Sequence, residues 1–341
     1  MPADRTRVGV IGVGRMGERH CRIYSGLGNV DFVGVSDRSP ERGRAIASKY
    51  DVPWYDDYTN LLRQVDAVSV VTPTDSHFDV VRECLRRQVH VMVEKPLADS
   101  LSEARELVQL AQRSSVVLQV GHIERFNPAF LELQSVLEDM PVVAVSARRL
   151  SPFDTSNTEV DVVLDLMIHD IDLVLTLFKD GINSVQASAR SARMNAADYV
   201  VATLSVTGGP IATLTASRVT EQKVRQLEVT ALDAYIEADL LNKNISIYRR
   251  MLPEYLANNQ RPLRYRQESL VERIYIPTAE PLLLELQDFV RCSREDRQPR
   301  VSGEDGLRAL ELATDIRERA GAIAISKPPS IESRGWPGGP T

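Results

Sequence analysis

Short apolar runs alternate with amphipathic stretches over the first third of the chain, and the texture changes after that. Residues 7–11 are apolar, predict a strand and run into a glycine-rich turn; residues 15–26 follow as a helix. Residues 31–36 predict a second strand, ending at Asp37. A helix follows Pro40, whose fixed φ suits a first helical turn. Residues 67–71 are continuously apolar, as expected of a strand covered on both faces. Residues 78–87 predict a helix and 90–93 a strand. Residues 100–113 predict a helix opened by Ser100, with Glu103 three positions later in capping-box spacing. Residues 116–120 close the series as another strand. Strands alternating with helices in this way specify a parallel, doubly wound sheet.

Beyond Gly121 the pattern shifts. Residues 127–139 predict a helix and 142–149 a strand. The helix expected at 161–178 is apolar on most faces, so burial is expected. Alternating β-branched segments then recur at 185–193, 199–206, 211–219, 225–231, 234–239 and 244–248, with turns near Gly208-Gly209-Pro210 and Asp233 that suit hairpins. Residues 281–294 and 304–324 return to helix. The fold class expected is an α/β Rossmann domain with a doubly wound parallel sheet, followed by an α+β domain with an open, mainly antiparallel sheet. The boundaries are 1–122 for the dinucleotide-binding domain and 123–326 for a substrate and oligomerisation domain, whose last helices are free to pack back on the first. A Pro- and Gly-rich tail, 327–341, is expected to be unstructured.

Composition narrows the function. A chain of 341 residues exceeds one ordinary core and fits two domains. Hydrophobic residues make up 43% and charged ones 26%, the profile of a globular protein in water. A net charge of −6 argues against a broad nucleic-acid surface. No apolar run has the length to cross a bilayer, and the N-terminus carries no signal-peptide core, so no membrane partner is expected. Cys21, Cys84 and Cys292 are widely separated and form no Cys-x-x-Cys pair, which points to free thiols and a reducing cytoplasm. Basic residues are mostly Arg; the lysines are Lys49, Lys95, Lys179, Lys223, Lys243 and Lys327, which makes Lys95 stand out.

The turn after the first strand reads Gly12-Val-Gly14-Arg15-Met16-Gly17, with Asp37 at the end of the second strand, 20 residues beyond Gly17. This is dinucleotide-binding spacing: Gly12 for the tight turn, Gly14 for close approach of the pyrophosphate, Gly17 for helix–strand packing. The helix N-terminus adds N–H donors and a positive dipole end. Asp37 is expected to accept from the adenosine ribose hydroxyls and to repel a 2′-phosphate, which favours NAD. Arg38 could instead receive that phosphate or stack on adenine, which keeps NADP open. Thr72-Pro73-Thr74 ends the 67–71 strand, either as a cofactor contact or as a plain turn. His77 is taken as structural.

Glu94-Lys95-Pro96 ends an apolar strand at the same sheet edge, which makes Glu94 and Lys95 candidate cofactor contacts as well. A cation there could hydrogen-bond a reacting oxygen and stabilise alkoxide charge. Asp165 and His169 are spaced i, i+4 and share a face of the expected helix. His169 suits proton abstraction near neutral pH, with Asp165 or Asp172 orienting it. A satisfied core histidine is the competing reading. Asp161, Asp165, Asp170 and Asp172 place several carboxylates in an otherwise apolar helix, a costly arrangement without a task. No clustered metal-ligand set is seen. Together the motifs point to hydride transfer between a hydroxyl carbon and NAD(P).

Gly12-x-Gly14-x-x-Gly17, Glu94-Lys95-Pro96 and Asp165-x-x-x-His169, with 281–289 and 302–312, resemble the glucose–fructose oxidoreductase/inositol dehydrogenase/MocA (Gfo/Idh/MocA) family over residues 6–325. The resemblance implies a Rossmann domain, then an open sheet carrying the substrate face and an oligomer interface, in a homodimer or homotetramer. It implies Lys95, Asp165 and His169 in the active site, with His169 as acid/base. The family often has Asn where this chain has Thr74. Residues 121–130 and 165–172 are similar to the branch containing UDP-N-acetylglucosamine 3-dehydrogenases, which implies oxidation of a sugar C3 hydroxyl to a ketone. Arg125 and Asn127 are then the first choices for substrate contacts. Arg148, Arg149 and Arg218 are candidate diphosphate partners or, equally, surface or interface arginines. The rival expectations are a dehydrogenase of a free sugar, inositol or other polyol, and a non-catalytic NAD-binding regulator.

Overall fold

The computed structural model describes residues 5–153, 161–179, 181–192, 196–250 and 269–324. The tail expected from residue 327 lies outside the described residues.

The first sheet is parallel and six-stranded: β1 (Thr6–Ile11), β2 (Val30–Ser36), β3 (Trp54–Tyr55), β4 (Ala67–Val70), β5 (His90–Glu94) and β6 (Leu118–Gly121), in spatial order β3-β2-β1-β4-β5-β6. The crossovers are α1 (Arg15–Gly26), α2 (Pro40–Tyr50), α3 (Tyr58–Leu61), α4 (His77–Arg86) and α5 (Leu101–Ser114). Val8, Val10, Val68, Val70, Val91 and Val93 are fully buried, which is why these strands read as unbroken apolar runs. Local caps set the helix starts. Ser39 accepts from Arg42 N ahead of Pro40, and Ser100 with Glu103 closes the expected capping box. The strand order reverses between β1 and β4, which opens a crevice at the carboxyl ends of the strands. β3 and α3 were not expected, because elements this short leave no periodic signal.

The second sheet has nine strands: β7 (Val142–Leu150), β8 (Ile182–Ser191), β9 (Tyr199–Val206), β10 (Ile211–Ser217), β11 (Val224–Ala231), β12 (Ala234–Asp239), β13 (Asn244–Arg250), β14 (Ser269–Ile274) and β15 (Ala322–Ala324). Their order is β14-β13-β12-β11-β7-β10-β9-β8-β15, antiparallel except for the β7–β10 and β8–β15 pairs. One face is covered by α6 (Pro128–Leu137), α7 (Ile168–Leu177) and α9 (Gly303–Ala320), whose Phe130, Leu133, Ile171, Ala313 and Ile316 pack on Ala202, Leu214, Leu227 and Ile236. The opposite face is open and exposes Tyr199, Val201 and Ile211.

Two expectations are corrected. The helix foreseen at 304–324 stops at Ala320; Gly321, at φ +46°, turns the chain so that β15 pairs with β8. The helix foreseen at 161–178 opens as a π turn, Val163–Met167, and becomes α-helical only in α7. Finally, α8 (Pro281–Glu295) sends Leu282, Leu286 and Phe289 into the cluster holding Val8, Val10 and Val35, so the chain's last quarter helps build the first domain's core.

Candidate active site

The glycine loop is shaped by close contacts. Gly12 sits at φ +87°, and a Cβ there would lie 2.5 Å from the Val71 carbonyl oxygen. A Cβ on Gly17 would lie 1.9 Å from the Gly12 oxygen, which enforces the loop-to-helix packing. Around Gly14 there is open space, and Gly14 caps α1 without a side-chain bond. The first-turn N–H groups of α1 therefore face a cleft with room for an anion. Arg15, Met16, Asp37, Arg38, Arg42, Tyr58, Thr72 and Pro73 line that cleft. Thr72 Oγ1 is buried there without a partner. These features fit a bound dinucleotide.

Asp37 is almost fully buried and accepts from Val13 N at 2.9 Å, Ser39 N at 2.8 Å, and Arg42 Nε and Nη2 at 3.0 and 2.7 Å. Burial works against its charge, but these donors outweigh it and hold the carboxyl below its ordinary range. The sequence singled out Arg38 as the rival for a 2′-phosphate; the structure brings Arg42 to Asp37 and leaves Arg38 exposed at the rim. His77 stands 2.9 Å from the carbonyl oxygens of both Thr72 and Pro96, tying together two loops of the sheet's carboxyl edge.

At the end of β5, Lys95 reaches the π turn. Its Nζ donates to the Asp165 carbonyl at 2.7 Å and lies 3.8 Å from Asp165 Oδ1. Burial lowers the Lys95 pKa, against the pull of Asp165 and Glu94. Asp165 Oδ2 accepts from Arg218 Nη2 at 3.0 Å. His169, half-buried, makes no hydrogen bond to Asp165, contrary to the i, i+4 expectation. The Asp165 carboxylate is engaged instead by Arg218 and Lys95, at the π turn that interrupts the regular helix. The His122 ring faces His169 edge-on, at 6.5 Å between centroids. Burial, then the charges of Lys95 and Arg149, press the His169 pKa well below its usual value, so the ring is neutral at pH 7. Glu94, expected at the cofactor, meets His20 Nε2 at 3.2 Å, and burial, with the charge of Glu94 added, holds the Glu285 carboxyl of α8 well above its ordinary range.

The structure reassigns the arginines. Arg125 is buried, with Nε and Nη2 on the Asp172 carboxylate at 2.9 and 2.8 Å and Asp305 at 3.3 Å. Asn127 is the α6 N-cap, accepting from Ala129 N and donating to Leu240 O and Glu124. Four of the five Arg125 N–H donors, counting the bond to the Arg300 carbonyl, and both Asn127 N–H donors are thus used within the protein, which points both residues to structural roles in place of the sequence-based choice. Arg149 is held by Asp170 and Glu124, and Arg218 by Asp165. Arg148 alternates with Arg149 along β7 and is exposed on the open face, away from the site. The carboxylates that looked costly in one helix thus each have a cation from another element: Asp161 pairs with Arg317, Asp165 with Arg218, Asp170 with Arg149, Asp172 with Arg125. Arg125→Met is expected to cost about 3–5 kcal/mol of stability, as when one partner of a buried pair is removed, with substrate KM nearly unchanged. Urea unfolding beside steady-state kinetics checks this; a raised KM at unchanged stability would return Arg125 to the substrate.

Sequence reasoning passed over Arg42, His122, Glu124, Arg225 and Glu285. His122 is fully buried with both ring nitrogens unpartnered. Its only signal in the sequence was its place beside Arg125 and Asn127.

A dinucleotide crevice with a lysine and a neutral histidine at the neighbouring sheet edge defines an oxidoreductase of the hydride-transferring class. Residues 6–122 match the oxidoreductase family, NAD-binding Rossmann fold, and residues 143–237 match the GFO/IDH/MocA C-terminal domain. The chain belongs to the GFO/IDH/MocA family of NAD(P)-dependent dehydrogenases. It is 33% identical over 311 residues to the UDP-N-acetylglucosamine 3-dehydrogenase of Acidithiobacillus ferrooxidans, spanning 91% of this chain and 96% of that protein. A solved structure of that enzyme aligns at TM-score 0.85 and 32% identity, covering 93% of this chain and 97% of that one. The inositol 2-dehydrogenase of Rhizobium meliloti is 26% identical over 330 residues, 90% of this chain and 94% of that protein. A 3-ketoreductase from Actinomadura kijaniata, solved with TDP-benzene and NADP, shares the fold at TM-score 0.80 and 19% identity, covering 94% of this chain and all of that one. Among the described residues, no helix is long and apolar enough to cross a membrane.

Proposed function

We propose that this chain oxidises a secondary hydroxyl of a sugar to a ketone, with C3 of UDP-N-acetylglucosamine as the reacting position. The observation that carries the chemistry is the meeting of Lys95, from the end of β5, with the turn that leads to His169. His169, neutral at pH 7, takes the hydroxyl proton. Lys95 donates to the same oxygen and stabilises its developing negative charge. Asp165, held by Arg218, fixes Lys95 through its backbone carbonyl, a positioning role in place of the His169 contact expected from the sequence. A nicotinamide held in this crevice would supply the two-electron acceptor for the hydride of the carbinol carbon. Gly12, Gly14 and Gly17 with the α1 N-terminus would hold the pyrophosphate, and Asp37 would hold the adenosine ribose, an arrangement that favours NAD. Arg38 and Arg42 at that rim make NADP the comparison arm of any assay.

The nucleotide sugar is supported by similarity along nearly the whole chain to a UDP-N-acetylglucosamine 3-dehydrogenase. A free polyol is the second reading, favoured by the carboxylates that already neutralise Arg149 and Arg218. A homodimer or homotetramer through the open sheet face is proposed from exposed Tyr199, Val201 and Ile211, which project from one side of β9 and β10. The free, buried thiols of Cys21, Cys84 and Cys292 suit a reducing cytoplasm.

The test is reduction of NAD or NADP, followed by absorbance, with a panel of UDP-sugars, free sugars and inositols. Glutamate and a sugar 3-aminotransferase are included to draw off the ketone. Turnover with UDP-N-acetylglucosamine is expected. Turnover only with free polyols would retire the nucleotide sugar and keep the dehydrogenase. Silence across the panel with cofactor binding intact would favour a regulator.

A further inference from the structure

Arg225 differs from the other arginines near the site. It opens β11 directly opposite Arg149 of β7, so both guanidinium groups lie on the helix-covered face of the sheet. Arg149 is neutralised by Asp170 and Glu124. Among the described residues, no carboxylate forms an ion pair with Arg225. Its Nη1 donates to the carbonyls of Leu150 and Val224 at 2.6 and 2.7 Å, and its Nη2 to Ser151 Oγ at 2.8 Å. These bonds use three of the five N–H donors of a guanidinium. The Nε–H and one Nη2–H remain. In Arg42, Arg125 and Arg149, Nε and Nη2 are the nitrogens that grip a carboxylate. A half-buried cation opposite another cation is costly unless something anionic arrives. Burial and Arg149 lower its pKa to about 10, against the more distant pull of Asp170, Glu124 and Asp165, so it stays charged at pH 7. Arg149, opposite it, grips Asp170, the residue that follows His169, which brings Arg225 to the edge of the same site.

We propose that Arg225 grips an oxyanion of the substrate through Nε–H and Nη2–H, with Ser151 fixing the fork. On the reading above, which this proposal rests on, that oxyanion belongs to the diphosphate of the nucleotide sugar. One hexose ring separates a C3 hydroxyl from the C1-linked phosphate, so the base and the anion site belong on one short substrate path. A sugar-acid carboxylate offers the same chemistry from a different source.

The experiment is calorimetric titration of NADH-loaded protein with UDP and, separately, with glucuronate, for wild type, Arg225→Lys and Arg225→Met. Wild type is expected to bind UDP. Arg225→Met is expected to weaken it about tenfold or more, and Arg225→Lys by an intermediate factor, since an ammonium keeps the charge and loses the fork. Melting curves for all three establish that the titrated protein is folded; Arg225→Lys carries the comparison if methionine prevents folding. Equal UDP affinity in the folded proteins would overturn the assignment and leave the nucleotide reading standing. Glucuronate binding that depends on Arg225, with no UDP binding, would keep the anion site and retire the nucleotide. Binding of neither probe to wild type would overturn both.

Discussion

Lys95→Met is expected to lower kcat about 10²–10³-fold, the usual loss when one donor to a developing oxyanion is removed, with the fold and NAD(P) affinity little changed. Methionine preserves much of the apolar stem. Asp165 keeps its Arg218 partner at 3.0 Å, so no bare buried carboxylate is left behind. The local cost is one hydrogen bond to the Asp165 carbonyl, about 0.5–1.5 kcal/mol. The Lys95 charge is also among the forces that hold His169 below its ordinary pKa. Removing it should therefore shift the acid limb of kcat/KM to higher pH. Steady-state rates across pH, with cofactor affinity by fluorescence titration, read both effects. Turnover within tenfold of wild type would remove Lys95 from the reacting oxygen. A rate loss without movement of the acid limb would break its electrostatic link to His169.

Features set by neighbours in sequence were legible in advance. The doubly covered strands announce themselves as apolar runs, Ser100 and Glu103 form their capping box, and the Gly12–Gly17 loop with Asp37 follows from fixed spacing. Lys95 was legible because it ends such a strand. Features that depend on a distant partner were not. A sequence shows the charge of Arg125 or Arg149 but not Asp172 or Asp170 waiting 47 and 21 residues away, so buried structural arginines looked like substrate ligands. Arg225 is notable for having no ion-paired carboxylate among the described residues, which only its surroundings reveal. The Asp165–His169 pairing failed for the same reason, because Lys95 and Arg218, 70 and 53 residues away, claim Asp165. β15 is three residues at the end of a helix pattern, too short to break the periodicity.

His169→Ala is the companion experiment, and its pH behaviour tells a base from a packed ring. Burial first, then Lys95 and Arg149, keep the wild-type imidazole neutral well below pH 6.5. The kcat/KM of wild-type oxidation should therefore be flat from about pH 6.5 upward, since the unperturbed histidine limb near that value is displaced to lower pH. The alkaline limb should come from Lys95, whose pKa burial brings below 10.5. Without the imidazole, kcat should fall about 10²–10⁴-fold, the span of general-base assistance. The remaining rate should climb with pH, because hydroxide becomes the proton acceptor. Stability supplies an independent sign. A histidine with a depressed folded pKa leaves the unfolded chain binding more protons below pH 6.5, so the native state loses stability as the pH falls through that window. His169→Ala removes that contribution, and its melting temperature should decline less steeply than wild type between neutral and acid pH. A variant that melts with a wild-type pH slope and keeps turnover within tenfold would make His169 a core residue. The proton would then need another acceptor, and His122, buried edge-on beside it with both nitrogens unpartnered, is the group the structure offers.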